Sequence, residues 1–376
     1  MPLPLLIAGG GIGGLAAALA VARTGRAVHV LEREARFGEI GAGLQLAPNA
    51  SHALGRLGVL DAIVPYAVFP HRLVWRDARS GAQVTALDLG PRFRAHFGHP
   101  YVVMHRGDLL DVLLAACRAD ARITLETSRG VVDVEEHGDH VRVVCADGTA
   151  YDGVAAVAAD GLWSRLRKLV NDDGDPLDAR HVAFRGTLPV AELWEGVGLD
   201  DVTLWTAPGL HFVQYPIRGG QLFNQVAVFR NDGDDIDAHF AVGCAAVQAG
   251  IARIARDRHW PMYDREPIAD WSRGRLVLLG DAAHPMLQYL AQGACQALED
   301  AVVLADALAA HDDPATAFLA YRDARYLRTA RVQYSARVFG EIWHVGDVGA
   351  TLRDTMLANR GADDFAHVDW LYGWRP

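Results

Sequence analysis

The run Gly9-Gly10-Gly11-Ile12-Gly13-Gly14 constrains this chain more than any other stretch. An apolar strand pattern, Leu3 to Ala8, leads into it, and Leu15 to Arg23 comes next as a helix that ends at Gly25. Ala27 to Leu31 is then a second buried strand, closed by Glu32. The spacing Gly9-x-Gly11-x-x-Gly14 inside a βαβ unit, with an acid at the end of the second strand, is a dinucleotide-binding fingerprint. The glycines permit a tight turn, close approach of a pyrophosphate, and close packing of helix on strand. Glu32 is placed to take ribose hydroxyls. The fingerprint alone does not separate FAD from NAD. The stretch after Glu32 bears on that choice. Arg33 and the polar, glycine-punctuated run from Gly38 to Asn49, which includes Gly43 and Gln45, delay the next helix to Ala50–Leu57. An NAD-dehydrogenase domain normally turns from strand to helix within a few residues, so this excursion suits a longer cofactor lying across the domain.

Two more strand-to-helix junctions recur downstream. Ala158 to Arg167 carries Asp160-Gly161 after a strand, and Leu276–Leu279 runs into Gly280-Asp281 before a helix that begins near Gln292 and continues past Asp306. Asp281 can accept hydroxyls of a polyol or ribityl chain. The backbone N–H groups at Gly293 and Ala294, at a helix N-terminus, stabilise negative charge. Met104 to Cys117 reads as a helix, with Arg106 near its start as a phosphate partner or a surface arginine.

Between the junctions the period changes to two. Residues 70–98 read as paired strands about Ser80-Gly81, and 123–157 as a three-segment β-meander. Ala183–Val190, Asp201–Thr206, His211–Ile217 and Leu222–Arg230 read as an antiparallel sheet, with a helix over 239–256. Alternation puts His211, Val213 and Tyr215 on one strand face. On the residues alone, a structural His/Tyr pair is slightly favoured over a catalytic one. Pro314 to Arg375 is helical and Arg-rich, with a loop at 361–364. The predicted fold class is α/β, a Rossmann-type domain from residues 1–70, 98–180 and 268–313. It is interleaved with an antiparallel-sheet substrate domain from 71–97 and 181–267, and followed by a helical region over 314–376.

Composition excludes several classes. The formal net charge is −10 and no Lys/Arg cluster is present, which argues against a nucleic-acid partner. Cys117, Cys145, Cys244 and Cys295 are far apart, with no C-x-x-C pair, so neither a disulfide framework nor a metal site is expected and a reducing cytoplasm fits. Leu3 to Ala22 carries no charge, yet it lacks a basic leader, is crowded with glycine, and is followed by a second strand after one turn. It is read as part of the fold rather than as a transmembrane segment.

Three motifs in order resemble the single-component FAD-dependent aromatic hydroxylases, the p-hydroxybenzoate hydroxylase-like flavoprotein monooxygenases. They are GGGIGG with Glu32-Arg33, A-D-G-x-x-S-x-x-R at Ala159–Arg167, and GDAAHP at Gly280–Pro285. The resemblance implies that the first motif holds the ADP part of FAD and that Asp160 serves FAD and the pyridine nucleotide. It implies further that Asp281 binds the ribityl region, and that NADH or NADPH is a transient co-substrate without its own Rossmann domain. Gln288 stands where many members carry proline, and Ala291-Gln292-Gly293 replaces their Gly-Gln-Gly. This variant resembles the branch that converts 3-hydroxybenzoate to 2,5-dihydroxybenzoate (gentisate) with molecular oxygen, through a flavin hydroperoxide. By that resemblance His211, Tyr215 and Gln288 become substrate-site residues, with His211 the better base, and a homodimer is compatible. Salicylate, 6-hydroxynicotinate and larger aromatic substrates are the alternatives within the class. A flavin-free dehydrogenase and a non-catalytic flavin-binding protein are the alternatives outside it.

Overall fold

In a computed structural model that describes residues 3–38, 42–233 and 235–375, the N-terminal fingerprint builds the centre of a six-stranded sheet. The order is Ser272–Arg273, Leu276–Leu278, Ala155–Ala158, Leu5–Ala8, Val28–Leu31, Ile123–Glu126. All neighbours are parallel except the two-residue edge strand Ser272–Arg273. Leu5–Ala8 and Ala155–Ala158 are buried throughout, as continuous apolar strands covered on both faces must be. The helix Ile12–Arg23 is rich in alanine and leucine and buried along almost its whole length. It packs against Arg106–Ala119 and Gly293–Ala310 on one side of the sheet. Small side chains let these helices approach closely.

The meander expected over 123–157 is divided between two sheets. Ile123–Glu126 and Ala155–Ala158 join the parallel sheet, and only Val131–Glu136, Val141–Cys145 and Ala150–Gly153 form a separate antiparallel one. Short apolar runs do not reveal their partners, and here the buried Ala155–Ala158 and the half-exposed edge strand Ile123–Glu126 both went to the parallel sheet.

The second large sheet has seven strands in the order His259–Asp264, Leu177–Pro189, Leu222–Arg230, Leu210–Ile217, Asp201–Ala207, Arg72–Asp77, Gln83–Asp88. One face is covered by an apolar cluster that includes Phe212, Phe229, Phe240, Val247 and Ile251. The single helix expected over 239–256 is two short ones, Ile236–Phe240 and Ala245–Ile251, separated near Gly243. The helix expected from Met104 begins at Arg106 instead, because Val102–His105 is a strand paired with Gly43–Leu46. His105 caps that helix, its Nδ1 accepting from Gly107 N at 3.1 Å. The loop residues 39–41 of the glycine-punctuated run lie outside the described residues.

The long helix Pro314–His344 packs along Gly293–Ala310 and reaches the seven-stranded sheet with its C-terminal end. A buried ionic network fixes it there. Arg325 pairs with Glu299 and, at 2.7 Å, with Asp300, while Arg328 Nε donates to Glu299 at 2.7 Å. Trp374 near the chain end lies under both guanidinium groups, at 4.7 and 4.6 Å. No helix among the described residues is long and apolar enough to cross a membrane.

Candidate active site

The C-terminal ends of the parallel strands and the face of the seven-stranded sheet opposite the apolar cluster of Phe212, Phe229 and Phe240 enclose a cavity of about 1690 Å³. Ligands of open α/β sheets sit at such strand ends. Gly9, Gly11, Glu32, Arg33, Gly43, Gln45, Arg106, Asp160, Asp281, Gly293, Ala294, His211, Tyr215 and Gln288 all line it. Gly14 does not; a Cβ there would stand 2.0 Å from Gly9 O, so its part is to let helix meet turn. The sequence spreads these residues over nearly 300 positions, and the fold brings them to one space.

At the dinucleotide end, Gly9 has φ +109°, and a Cβ on it would lie 2.3 Å from Ala159 O. The first turn therefore closes directly against the second junction, and only glycine fits. Glu32 accepts from Gly10 N at 2.6 Å and from Glu34 N at 2.8 Å, which pins its carboxylate beside the glycine turn. Arg33 stands at the exposed rim and pairs with Glu34. Asp160 accepts from Ser164 Oγ at 2.5 Å and from the N–H of Arg165 at 3.0 Å. Burial raises its pKa against these hydrogen bonds. Arg106 borders the cavity deep within the protein; desolvation lowers its pKa, and Asp281 offsets part of that. Arg106, the first residue of the helix Arg106–Ala119, thereby lies near Asp281 of the third motif at the cavity wall.

The loop that carries Asp281 is held from beneath. Gly280 N donates to Asp300 at 3.0 Å, and His284 Nε2 lies 2.6 Å from the same oxygen. Asn49 bridges Gln292 and Glu299 at 3.0 and 2.6 Å, tying the end of the glycine-punctuated run to the start of Gly293–Ala310. A Cβ on Gly293 would meet nothing nearer than Asp281 Oδ1 at 3.8 Å, so the helix N-terminus is open for close approach. A turn that only glycine fits, carboxylates at two junctions and an open helix N-terminus along one cavity wall form a cradle for a flavin dinucleotide.

At the other end, strand register sets the substrate face. Arg185, Val226, Val213, Leu204, Trp75 and Thr85 are successive cross-strand neighbours, and all line the cavity. His211 and Tyr215 flank Val213 on the same strand. His211 is 1% exposed, and its ring lies among Trp343, His344 and Tyr289 at centroid distances of 5.0, 5.1 and 5.4 Å. Its Nδ1 is 2.8 Å from His344 Nε2. Burial holds the His211 pKa well below the ordinary imidazole value, with His344 and His181 adding to the shift. His344 is lowered to about 3 by burial, then by His181 and Arg230. Both imidazoles are neutral at working pH.

Tyr215 is buried, and burial raises its pKa; Arg185 and a hydrogen bond from Gln45 act the other way. Gln45 Oε1 also accepts from Tyr101 Oη at 2.7 Å. Gln45, expected on the cofactor side, thus bridges two phenols at the substrate end. Asn224 pairs with Tyr215 in register and accepts from Gly43 N at 2.7 Å, where a Cβ on Gly43 would come within 2.7 Å of the Tyr215 ring. Gln288 Oε1 accepts from Arg185. Sequence reasoning missed Arg185, Tyr289 and His344. An arginine inside a strand that packs against apolar neighbours is a legible signal in retrospect, whereas nothing local marks His344, 133 positions from its partner.

The FAD binding domain family matches residues 3–183 and 239–333. Over nearly its whole length the chain is similar to 3-hydroxybenzoate 6-hydroxylase 1 of Aquipseudomonas alcaligenes, 40% identical over 98% of this chain and 97% of the relative. The chain belongs to the FAD-dependent aromatic hydroxylases. A 3-hydroxybenzoate 6-hydroxylase of Polaromonas naphthalenivorans is 38% identical over 99% of this chain and 96% of its own. Among solved structures, HpxO of Klebsiella pneumoniae complexed with FAD and uric acid superposes with a TM-score of 0.87, at 26% identity over 98% of this chain and 96% of that one. The family membership makes FAD the cofactor of this cradle.

Proposed function

We propose that this chain hydroxylates 3-hydroxybenzoate para to its hydroxyl, giving 2,5-dihydroxybenzoate, with NADH and molecular oxygen as co-substrates. The observation that carries the reading is the buried His211 and Tyr215, with the half-buried Gln288, sharing one cavity with the flavin cradle. Three 3-hydroxybenzoate 6-hydroxylases at 37 to 40% identity support the choice of substrate.

Bound FAD supplies the redox chemistry: it takes electrons from the pyridine nucleotide and activates oxygen for transfer to the ring. Gly9, Gly11 and Glu32 hold the ADP portion in this reading, with Arg33 at the rim and Arg106 toward the phosphates. Asp281 would take the ribityl hydroxyls, and Asp160 would serve both FAD and the pyridine nucleotide. The N–H groups of Gly293 and Ala294, at the N-terminal end of an 18-residue helix, would hold the flavin's pyrimidine edge and stabilise negative charge there.

The ring is activated by removing its phenolic proton, and His211 takes it. If Nδ1–H donates to His344 Nε2 across the 2.8 Å contact, Nε2 of His211 keeps the lone pair needed to accept from the substrate. Burial disfavours a lasting imidazolium. A proton taken at Nε2 is therefore held only transiently on His211. Tyr215, held by Gln45, orients the hydroxyl; Gln288 fixes the second polar group of the substrate. Val213, Val226, Leu204 and Met286 line the space between and exclude water.

The test is NADH oxidation by the FAD-loaded protein with and without 3-hydroxybenzoate, with products separated by chromatography. Stimulated oxidation with gentisate as product is expected. Gentisate absent, with turnover stimulated instead by salicylate or 6-hydroxynicotinate, would move the proposal to that substrate.

A further inference from the structure

Arg185 sits on the cavity face of the seven-stranded sheet, directly across Val226 from Val213. It is enclosed by protein, and desolvation lowers its pKa, with the second cation Arg106 adding to the effect. The face of Trp260 lies 5.8 Å from its guanidinium carbon. One terminal nitrogen donates to Gln288 Oε1, while the buried Nε has no hydrogen-bond partner among the described residues. No carboxylate among those residues pairs with it. A guanidinium has five N–H donors in a planar fork, and an uncompensated buried charge is strongly unfavourable. Among the described residues, the cavity wall therefore holds a cation with no anionic partner.

We propose that Arg185 is the carboxylate anchor of the substrate and the residue that selects aromatic acids over neutral phenols. The inference rests on the reading of this cavity as an aromatic-acid site and adds a named contact to it. The two functional ends match a small ring. Arg185 pairs with Val226, and His211 with Val228, across the intervening strand. Strand spacings of about 4.8 Å and a rise of about 3.4 Å per residue put their Cα atoms on the order of 12 Å apart. Both side chains stand off the same face of the sheet, so the two functional ends are separated on the scale of one substituted benzene ring with its polar groups. With its carboxylate on the Arg185 fork, the ring presents its meta hydroxyl toward His211. Gln288, bonded to the guanidinium, orients the fork, so it fixes the second polar group of the substrate through Arg185.

Binding without turnover tests this. Benzoate, benzamide, 3-hydroxybenzoate and 3-hydroxybenzamide are titrated into the FAD-loaded protein and followed by the perturbation of flavin absorbance. Charge-assisted bidentate pairing of this kind gives the wild type a preference of about a hundredfold for each acid over its amide. In Arg185→Gln that ratio falls to within a fewfold of unity, because the acids lose affinity while the amides change less than about threefold. Arg185→Lys restores part of the ratio. Equal affinity of the wild type for acid and amide overturns the proposal without any variant, as does a variant that keeps the preference or weakens all four ligands alike. Failure of the hydroxylase reading is separate: benzoate selection would persist in a protein that makes no gentisate.

Discussion

Replacing His211 with alanine separates the two halves of the cavity. The imidazole is 1% exposed, and its ring neighbours are Trp343, His344 and Tyr289 rather than residues of the glycine turn. Removing it takes away the proton acceptor, and general-base assistance is worth roughly 10² to 10⁴ in rate, about 2.7 to 5.4 kcal/mol of barrier at about 1.36 kcal/mol per tenfold. It also strands His344 Nε2 without its 2.8 Å partner in a buried site. That unsatisfied group costs about 1–3 kcal/mol. With an unfolding entropy of about 2.1 cal/mol/K per residue over 376 residues, this is a fall of about 1–4 °C in Tm. The expected variant is folded, yellow and slow. Flavin absorbance titration measures FAD affinity, and single-turnover mixing with oxygen measures product per NADH oxidised. Near-normal coupled hydroxylation would remove His211 from the mechanism. Loss of FAD with retention of the chemistry per bound flavin would refute the division of the cavity.

Two predictions concern stability. His344, at about 3, binds no proton in the folded state between that pH and its unfolded value near 6.5, where the unfolded chain does. Stability is therefore fully present above about 6.5 and falls as pH drops below it. His29, His52, His99, His105 and His367 are shifted the same way by burial. The measurement is thus the stability lost between pH 7.5 and pH 5 in denaturant unfolding, compared between wild type and His344→Phe. That loss should be smaller in the variant; an equal loss in both would show that His344 is charged in the native state. For Asp300→Asn, breaking a fully buried pair with Arg325 costs about 3–5 kcal/mol, or about 4–6 °C by the same entropy. Because Asp300 also holds Gly280 N, FAD affinity should fall with it, and an unchanged melting temperature would mean the network contributes nothing net.

What the sequence disclosed was governed by locality. The glycine turn, the acids at strand ends and the helix starts are short-range patterns, and Gly9, Glu32, Asp160 and Asp281 could be placed from spacing alone. The two-residue period put His211 and Tyr215 on one face, and the strand register gives them a shared side facing the cavity. Long-range partners were not legible. The split of the 123–157 strands between two sheets depends on the long-range pairing of Ile123–Glu126 with Val28–Leu31 and of Ala155–Ala158 with Leu5–Ala8. The His211–His344 contact depends on where a 31-residue helix ends, and that is fixed by Arg325 and Arg328 against Glu299 and Asp300. Gln45 was expected at the cofactor because it lies just past the fingerprint, yet pairing of Gly43–Leu46 with Val102–His105 carries it to Tyr101 and Tyr215.

The most direct test of the account is turnover of 3-hydroxybenzoate by the FAD-loaded protein under ¹⁸O-labelled oxygen, with mass spectrometry of the product and parallel NADH consumption. The account predicts gentisate carrying a single labelled oxygen at the new hydroxyl and matching NADH mole for mole. Unlabelled gentisate, or a labelled product hydroxylated ortho to the original hydroxyl, would contradict it.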